Sequence, residues 1–156
     1  MEDDNLSAIK SYLEQITEKI NENEIIAFDN HPAAYKIIDQ LFYNGIKISV
    51  ISYSTDIIKY VAKYTNFNII LSNGVVSSEY HIIVGTDVAQ TFSKYRISRY
   101  FAAMPYMADN SLYQTIPEVA EIQIALKQSA DQFLVINRPE FLNTRLAHDF
   151  IHIGDF

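Results

Sequence analysis

Apolar positions along this chain follow two spacings, and stretches with one spacing alternate with stretches of the other. Short continuous apolar runs rich in β-branched residues, such as "KISVIS" at 47–52, are typical of strands covered on both faces. Apolar residues three and four positions apart, as from Leu6 to Ile20, are typical of amphipathic helices. The runs predict strands at 24–29, 47–52, 67–72, 80–85, 97–104, 132–137 and 150–154. The helical spacing predicts helices at 6–20, 32–43, 54–64, 86–94 and 116–129.

Strands that alternate with helices of this length predict a parallel sheet with helices on both faces. We therefore expect a single α/β domain over residues 1–156, with a mostly parallel, doubly wound sheet of about six or seven strands. Residues 1–22 should contribute an N-terminal helix that packs on this core. Ligands of such sheets bind beyond the carboxyl ends of the strands, near the point where the strand order reverses. The turns expected at that edge are 29–33, 52–56, 72–78, 103–110 and 137–141.

The composition narrows the classes of function. The chain has 12 Lys and Arg against 19 Asp and Glu, a net charge of −7, whereas nucleic-acid binding draws most of its affinity from basic side chains. It has no cysteine, which excludes disulfides and thiolate chemistry. The start "MEDDNLSAIK" does not resemble a secretory signal, and no apolar run approaches the roughly 18 residues of a membrane span. We expect a cytoplasmic protein that makes no membrane contact.

Short motifs that carry chemistry are missing from the sequence. It contains no Walker loop, no G-x-G-x-x-G dinucleotide fingerprint and no G-x-S-x-G nucleophile elbow. The four histidines, at 31, 81, 148 and 152, do not pair on one helix at the spacing of metal ligands. We therefore expect neither a cofactor nor a metal.

The stretch "IIAFDNHPAAYKII", residues 25–38, predicts a strand, a tight turn and a helix. Such a turn often binds an anion on the free N–H groups of the helix start, but it usually carries glycine so that the backbone can approach closely. This turn has no glycine. Asp29 either orients a ligand hydroxyl, acts as an acid or base, or caps the helix, which is the favoured interpretation. Asp29 and Asp56 both place negative charge near a helix start, where a phosphate needs positive potential.

Hydroxyl groups cluster in the second turn. Ser52, Ser54 and Thr55 could donate hydrogen bonds to a phosphate, and simple N-capping by Ser54 is an equally supported alternative. In the last turn, "NRPEF" at 137–141, Arg138 is the only cation, and it either meets a ligand or is solvated at the surface.

Five motifs occur in a characteristic order: "IIAFDN", "VISYS", "IILSNGVVSSEYHIIVG", "ISRYFAAMPYM" and "ADQFLVINRPEF". From about Glu24 to Phe156 the chain thereby resembles the C-terminal effector-sensing domain of DeoR-type bacterial transcription regulators. That family has, in the same order, a strand ending in D-x-G-T-T, one ending in T-N-S, a Gly-Gly turn with a later glycine, a strand running into a glycine-containing turn, and a strand ending in D-S-S-K-F. The resemblance implies the fold of ribose-5-phosphate isomerase and glucosamine-6-phosphate deaminase, with sugar phosphates as effectors.

The departures from the family fall where a phosphate would be held. The family's G-T-T becomes His31-Pro32-Ala33, which removes its glycine and both hydroxyls. The resemblance places a family arginine near Ser77, a glycine at Ala103 and an acid at Pro105. It places two family lysines, one near Gln123 and one at Glu140. The retained positions are Asp29, Ser54, Gly74, Gly85, Asp131 and Phe141. The resemblance implies an altered site whose candidate ligand contacts are Asp29, Asn30, His31, Ser52, Ser54, Thr55, Gly74, Ala103 and Arg138.

We therefore expect the effector-sensing and oligomerisation domain of a DeoR-like regulator that is not an enzyme and whose small-molecule effector is a sugar or sugar derivative. Regulators of this type act as homo-oligomers, and Tyr95, Tyr100 and Tyr106 are candidate interface residues. The family places a winged helix-turn-helix before this domain. Only about 20 residues precede the first predicted strand, so DNA contact is expected only through a winged-helix domain absent from this chain.

Two alternatives stay open. The first is a sugar-phosphate isomerase or deaminase on the same fold, with Asp29 as a base, although the lysines that would neutralise substrate charge are missing. The second is a dimerisation module that binds no ligand.

Overall fold

Five parallel strands form the central sheet of the computed structural model, which describes residue 11 and residues 14–16, 18–143 and 147–156. The helices are α1 (Pro32–Tyr43), α2 (Thr55–Tyr64), α3 (Thr86–Phe92) and α4 (Pro117–Ser129). The strands are β1 (Ile25–Phe28), β2 (Ser49–Ile51), β3 (Asn68–Ile70), β4 (Val75–Ser77), β5 (Ile82–Val84), β6 (Ile97–Ala102), β7 (Tyr106–Ala108), β8 (Ser111–Gln114), β9 (Ala130–Val135), β10 (Glu140–Phe141) and β11 (Ile151–Asp155).

The central sheet has the strand order β3-β2-β1-β6-β9, and each neighbouring pair is parallel. The chain runs outward from β1 to β3 and then returns to the other side of β1 with β6 and β9. Ile26 therefore pairs with Val50 on one side and with Arg99 on the other. The strand order reverses between β1 and β6, and a crevice opens at the carboxyl ends of strands at such a point.

Helices cover both faces of this sheet. Ile26 and Phe28 pack against α1 and α2, whereas Ala27, which lies between them, faces α3 and α4. Successive residues of a strand point to opposite faces, so a strand covered on both sides needs apolar residues throughout. The predicted α/β class, with a mostly parallel sheet between helical layers, is confirmed.

The central sheet has five strands rather than six or seven. The predicted strand at 80–85 contains β5, which pairs antiparallel with β4 in a separate two-stranded sheet. The predicted strand at 150–154 lies in β11, which pairs antiparallel with β8 in a four-stranded sheet ordered β10-β7-β8-β11. A parallel neighbour needs a long crossover connection, but β4 and β5 follow each other too closely for one.

Strands β4, β7, β8 and β10 were not predicted. They are two to four residues long, so their apolar runs are too short to stand out. The β7–β8 connection turns at Asp109, whose φ of 53° lies in the left-handed region that Asp and Asn tolerate.

The helix predictions agree closely with the structure. Helix α1 has the predicted bounds, and α2 begins after Ser54, whose side chain accepts from the backbone N–H of Ile57. Most of the predicted N-terminal helix at 6–20 lies outside the described residues. Of its described part, Ile16 and Ile20 pack in the same apolar cluster as α1 and α2.

Candidate functional site

Asp29 directly follows β1 and lies at the point where the strand order reverses. It is 2% exposed, and its carboxylate is held entirely by uncharged donors. Tyr100 Oη lies 2.8 Å from each carboxylate oxygen, the Ala103 N–H donates to Oδ2 at 2.8 Å, and Gln123 Nε2 donates to Oδ2 at 3.0 Å. Strand β6 and helix α4 therefore converge on one acid at the end of β1.

Burial raises the pKa of Asp29 from 3.8 to about 6, because a buried carboxylate loses its hydration. Hydrogen bonds from Tyr100, Ala103, Tyr53 and Gln123 lower this pKa again, but only in part. Burial also raises the pKa of Tyr53 and Tyr100 well above 10, so both phenols stay protonated and can donate. The site thus combines a buried acid with neutral donors.

Helix α1 is capped by His31, and the prediction that Asp29 caps it is wrong. His31 Nδ1 accepts from the backbone N–H of Ala33 at 3.1 Å, and its carbonyl accepts from Ala34 at 2.9 Å. Pro32 has no N–H to offer. Burial lowers the pKa of His31, which favours the neutral ring that a cap acceptor requires. Asp29 cannot serve the cap because its side chain points instead to Tyr100 and Gln123.

Two side-chain amides, those of Gln123 and Gln114, connect Asp29 to the start of α4 through hydrogen bonds. Gln123 Nε2 also lies 3.1 Å from the carbonyl of Ala103, and its Oε1 accepts from Gln114 Nε2 at 3.2 Å. Gln114 Oε1 in turn accepts from the N–H groups of Thr115 and Ile116 at the start of α4, at 3.0 and 3.3 Å. Both amides have their orientation set by a neighbour, as buried polar groups require.

The side-chain amide of Asn137 joins the turn after β9 to the turn after β6. Asn137 Oδ1 accepts from the Met104 N–H at 2.9 Å, and Asn137 Nδ2 donates to the Met104 carbonyl at 2.8 Å. This pair replaces the ladder hydrogen bonds that β6 and β9 can no longer make beyond their ends. The turns after the two strands are thereby held side by side.

A cavity of about 340 Å³ lies above these residues, between the carboxyl edge of the sheet, the start of α4 and the β4–β5 hairpin. Its apolar wall includes Ile82, Met104, Pro105, Ile116 and Val119. Its polar wall comprises Asp29, Asn30, Tyr53, Ser54, Gln114, Gln123 and Asn137. No lysine, arginine or histidine of the described chain lines it. Such a mixed apolar and polar concavity is typical of small-molecule sites.

Four of the predicted ligand contacts line this cavity: Asp29, Asn30, Ser54 and Ala103. The hydroxyls of Ser52 and Thr55 are used inside the protein instead, because Ser52 Oγ donates to the Phe28 carbonyl and Thr55 Oγ1 donates to the His81 carbonyl. N-capping of α2 by Ser54 is confirmed.

The remaining candidates, His31, Gly74 and Arg138, are not among the residues that line the cavity. A Cβ on Gly74 would lie 2.6 Å from Ile83 Cγ2 and 2.8 Å from the Val84 carbonyl, so this glycine allows the β4–β5 hairpin to close. Arg138 lies exposed in the turn after β9.

Sequence reasoning missed Tyr53, Gln114 and Asn137 as site residues. Tyr53 lies between two serines that were singled out, and Asn137 directly precedes Arg138, so attention to the neighbours of those residues would have found both. Gln114 gave no signal because its strand was not predicted. Gln123 was noted only as the position of a family lysine, and its contact with Asp29 was not anticipated.

One oligomer prediction also needs correction. Tyr100 was proposed as an interface residue, but it is 0% exposed and its hydroxyl is bound to Asp29. Tyr95 and Tyr106 are partly exposed, and Tyr106 packs against Phe150.

Comparison with known families places the chain. The family described as the DeoR C-terminal sensor domain matches residues 14–156. The chain belongs to this family. The family is a regulatory sensor domain, so the coarse expectation of a DeoR-like sensor is confirmed. No curated protein matches the sequence.

Two solved structures share the fold of this sensor domain. A chain in a tetrameric eIF2B β2δ2 complex from C. thermophilum is 13% identical, with a TM-score of 0.57, and the match covers 89% of this chain and 43% of that one. eIF2B δ from Chaetomium thermophilum is 14% identical, with a TM-score of 0.56, and the match covers 88% of this chain and 49% of that one. This chain therefore spans less than half the length of either protein, and at these identities the likeness shows the fold alone.

The described ranges contain no group of three or more His, Cys, Asp or Glu side chains arranged to hold a metal ion. Within the same ranges, no helix combines the length and the apolar character needed to cross a membrane.

Proposed function

We propose that this chain is the effector-sensing and oligomerisation domain of a DeoR-like transcription regulator, and that its effector binds in the cavity beside Asp29. The observation that carries the proposal is the position of the cavity, which opens at the carboxyl edge where the strand order reverses between β1 and β6. Doubly wound sheets bind their ligands at this point. Membership of a sensor-domain family supports the same assignment.

The polar groups of the cavity are suited to recognition of a small hydroxylated molecule. Asp29 offers an acceptor, Ser54 a hydroxyl, and Gln114 and Asn137 amides, while Ile116 belongs to the apolar wall. In small-molecule sites, a small number of polar groups set in a largely apolar wall fix the orientation of the ligand. A sugar or sugar derivative has hydroxyl groups that can hydrogen-bond to these polar side chains and C–H groups that can pack against the apolar ones.

Turnover is not part of the proposal. Asp29 is the one carboxyl group among the described residues that line the cavity, and none of those residues is a lysine, arginine or histidine. An isomerase or deaminase acting on a sugar phosphate would need a free base and groups to neutralise substrate charge. The family lysine falls near Gln123, which is uncharged, so the residues that line the cavity supply no neutralising charge.

Oligomerisation is supported by surface features. Val75 and Val76 are exposed on the β4–β5 hairpin, and Tyr95 remains partly exposed. The related eIF2B complex is tetrameric. Sedimentation should show a dimer or larger species, and a 17.9 kDa monomer alone at micromolar concentration would count against this part of the proposal.

Calorimetry with a panel of pentoses, hexoses, their amino derivatives and their phosphates tests effector binding. At least one compound should bind, and Asp29→Asn should weaken it at least tenfold by changing the main acceptor in the cavity. Asp131→Asn is the matched control, because Asp131 is an exposed acid paired with Arg96 outside the cavity, and it should leave binding unchanged. Equal loss in both variants, or no binding by any compound, would contradict the proposal.

A further inference from the structure

We infer that the cavity beside Asp29 takes a ligand without phosphate or any other anionic group: an uncharged or amine-bearing sugar or polyol about the size of a monosaccharide. The inference rests on the proposed function, since it specifies the chemistry of the same site. Three features of the described chain carry it: first N–H groups of α1 that are already hydrogen-bonded, a cavity wall with an acid and no basic side chain, and an uncharged amide beside that acid.

The N–H groups of Ala33 and Ala34, the first two of α1, are already hydrogen-bonded within the turn. A phosphate at a helix start is bound by the first free N–H groups. Here Pro32 has none, the N–H of Ala33 donates to His31 Nδ1, and the N–H of Ala34 donates to the His31 carbonyl. A phosphate could reach these groups only by displacing the His31 side chain and opening the turn.

The charges around the cavity repel anions. Asp29 is part of the wall, and Asn30, also in the wall, donates to Asp56 at 3.4 Å, so a second carboxylate lies near. Asp56 contacts His81, but both side chains are substantially exposed to water. At an effective dielectric constant of about 20, a charge some 5 Å from a like charge is disfavoured by a factor of roughly a hundred.

Gln123 leaves the buried acid without a cation. Its Nε2 lies within hydrogen-bonding distance of Asp29 and Ala103, while its Oε1 accepts from Gln114. The amide therefore satisfies polar groups but contributes no charge. The raised pKa of Asp29 is consistent with a carboxylate that has donors but no positive partner. Among the described residues that line the cavity, Asp29 is the one charged side chain, so an anionic ligand would meet a negative charge there.

The cavity is also the right size for such a ligand. Its volume of about 340 Å³ lies at the small end of the range of about 300–1,000 Å³ typical of ligand sites. The rings of Tyr53 and Tyr80 line it beside aliphatic side chains, which suits the C–H faces of a sugar. Ser54 and Asn137 are polar residues of the same wall.

Matched pairs of ligands test the inference by calorimetry on the whole chain. The pairs are ribose and ribose 5-phosphate, glucose and glucose 6-phosphate, and glucosamine and glucosamine 6-phosphate. In each pair that binds, the free sugar should bind at least tenfold more tightly than its phosphate. A phosphate that binds as tightly as its free sugar, or more tightly, would overturn the inference and leave the proposed function intact. If no member of any pair binds, the proposed function fails and the inference with it.

A second measurement does not depend on the identity of the effector. Backbone amide resonances of Ala33 and Ala34 are followed while inorganic phosphate is titrated to millimolar levels against chloride at equal ionic strength. The unmodified chain should show no saturable shift, because these N–H groups are already bonded. The triple variant His31→Gly, Pro32→Thr and Ala33→Thr restores a glycine and two hydroxyls, and its turn amides should shift and saturate.

Amide resonances of the β4–β5 hairpin, far from the changed turn in sequence, report whether the triple variant keeps the fold. Saturable phosphate shifts at Ala33 in the unmodified chain would overturn the inference. A folded triple variant that stays silent would also count against it, because the closure would then not depend on residues 31–33.

Discussion

The turn after β1 and the turn after β2 share one local arrangement, but their aspartates differ in how deeply they are buried. Each leaves a parallel strand, passes a polar residue and enters a helix whose first N–H groups are capped by a side chain, His31 in one and Ser54 in the other. Each also carries an aspartate. Asp29 is 2% exposed and held by Tyr100 and Gln123, whereas the side chain of Asp56 is 43% exposed and meets His81 at the surface.

The comparison shows that an acid near a helix start has no fixed role. At the second turn, water and an exposed histidine surround the carboxylate. At the first, the same group is surrounded by donors from β6, the turn after β6 and α4, and it lines a cavity. Burial, rather than local sequence, separates a surface charge from a candidate binding group.

Replacing each aspartate by leucine should separate the two turns most strongly. Asp29→Leu leaves Tyr100 Oη, the Ala103 N–H and part of Gln123 without their acceptor, and should lower the free energy of unfolding by about 4 kcal/mol, since each unpaired buried donor costs about 1–3 kcal/mol. Asp56→Leu should lower it by less than about 1 kcal/mol, because water replaces its exposed contacts. Urea unfolding of both variants measures the difference, and similar losses would contradict the comparison.

The pH dependence of stability should carry a signature of the buried Asp29. The pKa of Asp29 is about 6 in the folded protein, against the ordinary value of 3.8 expected in the unfolded chain, so the folded state holds the proton more tightly. The resulting stabilisation is fully present below pH 3.8 and is lost as the pH rises through about 6. Relative to Asp29→Asn, the unmodified protein should gain about 2 kcal/mol between pH 7 and pH 4.

Urea unfolding at a series of pH values gives this difference for the two proteins. Subtracting the Asp29→Asn curve removes the titration of all other groups, including His31. A flat difference for Asp29→Asn would mean that the carboxylate is not desolvated as the structure describes.

The cap of α2 should contribute a smaller amount. Ser54 is 2% exposed, and its Oγ accepts from the Ile57 N–H at 3.3 Å. Ser54→Ala should lower the free energy of unfolding by about 1 kcal/mol, and Ser54→Gly by about the same or less. Thermal or urea unfolding measures both. Unchanged stability in Ser54→Ala would show that the cap is dispensable.

The cap of α1 should contribute least, and only above acidic pH. His31 is half-buried, so water can partly replace its Nδ1 in His31→Ala, and the loss of stability should be smaller than for Ser54→Ala. Because burial lowers the pKa of His31, its stabilisation is present above the ordinary pKa of 6.5 and is lost as the pH falls. Unfolding of His31→Ala and the unmodified protein at pH 7.5 and 5 should show the difference narrow at the lower pH.

Local patterns in the sequence determined much of this protein. Apolar spacing gave the bounds of α1 and the start of α2 because a helix repeats every few residues and its cap lies next to it. The alternation of runs and helices determined the α/β class, and the order of motifs determined the sensor-domain family. These signals arise between residues close in the chain, so they survive in the sequence alone.

Only the tertiary structure decided how the site is assembled. Gln123 lies 94 positions after Asp29, and Tyr100 lies 71 positions after it, so no local pattern joins them. The antiparallel partners of β5 and β11 are β4 and β8, strands whose apolar runs are too short to stand out in the sequence. Asp29 lines the cavity and does not cap α1, because β6, the turn after it and α4 supply donors to its carboxylate. The helix start is capped by His31 instead. Burial and long-range hydrogen bonds are set by the packing of whole elements, so patterns between residues adjacent in the sequence do not reveal them.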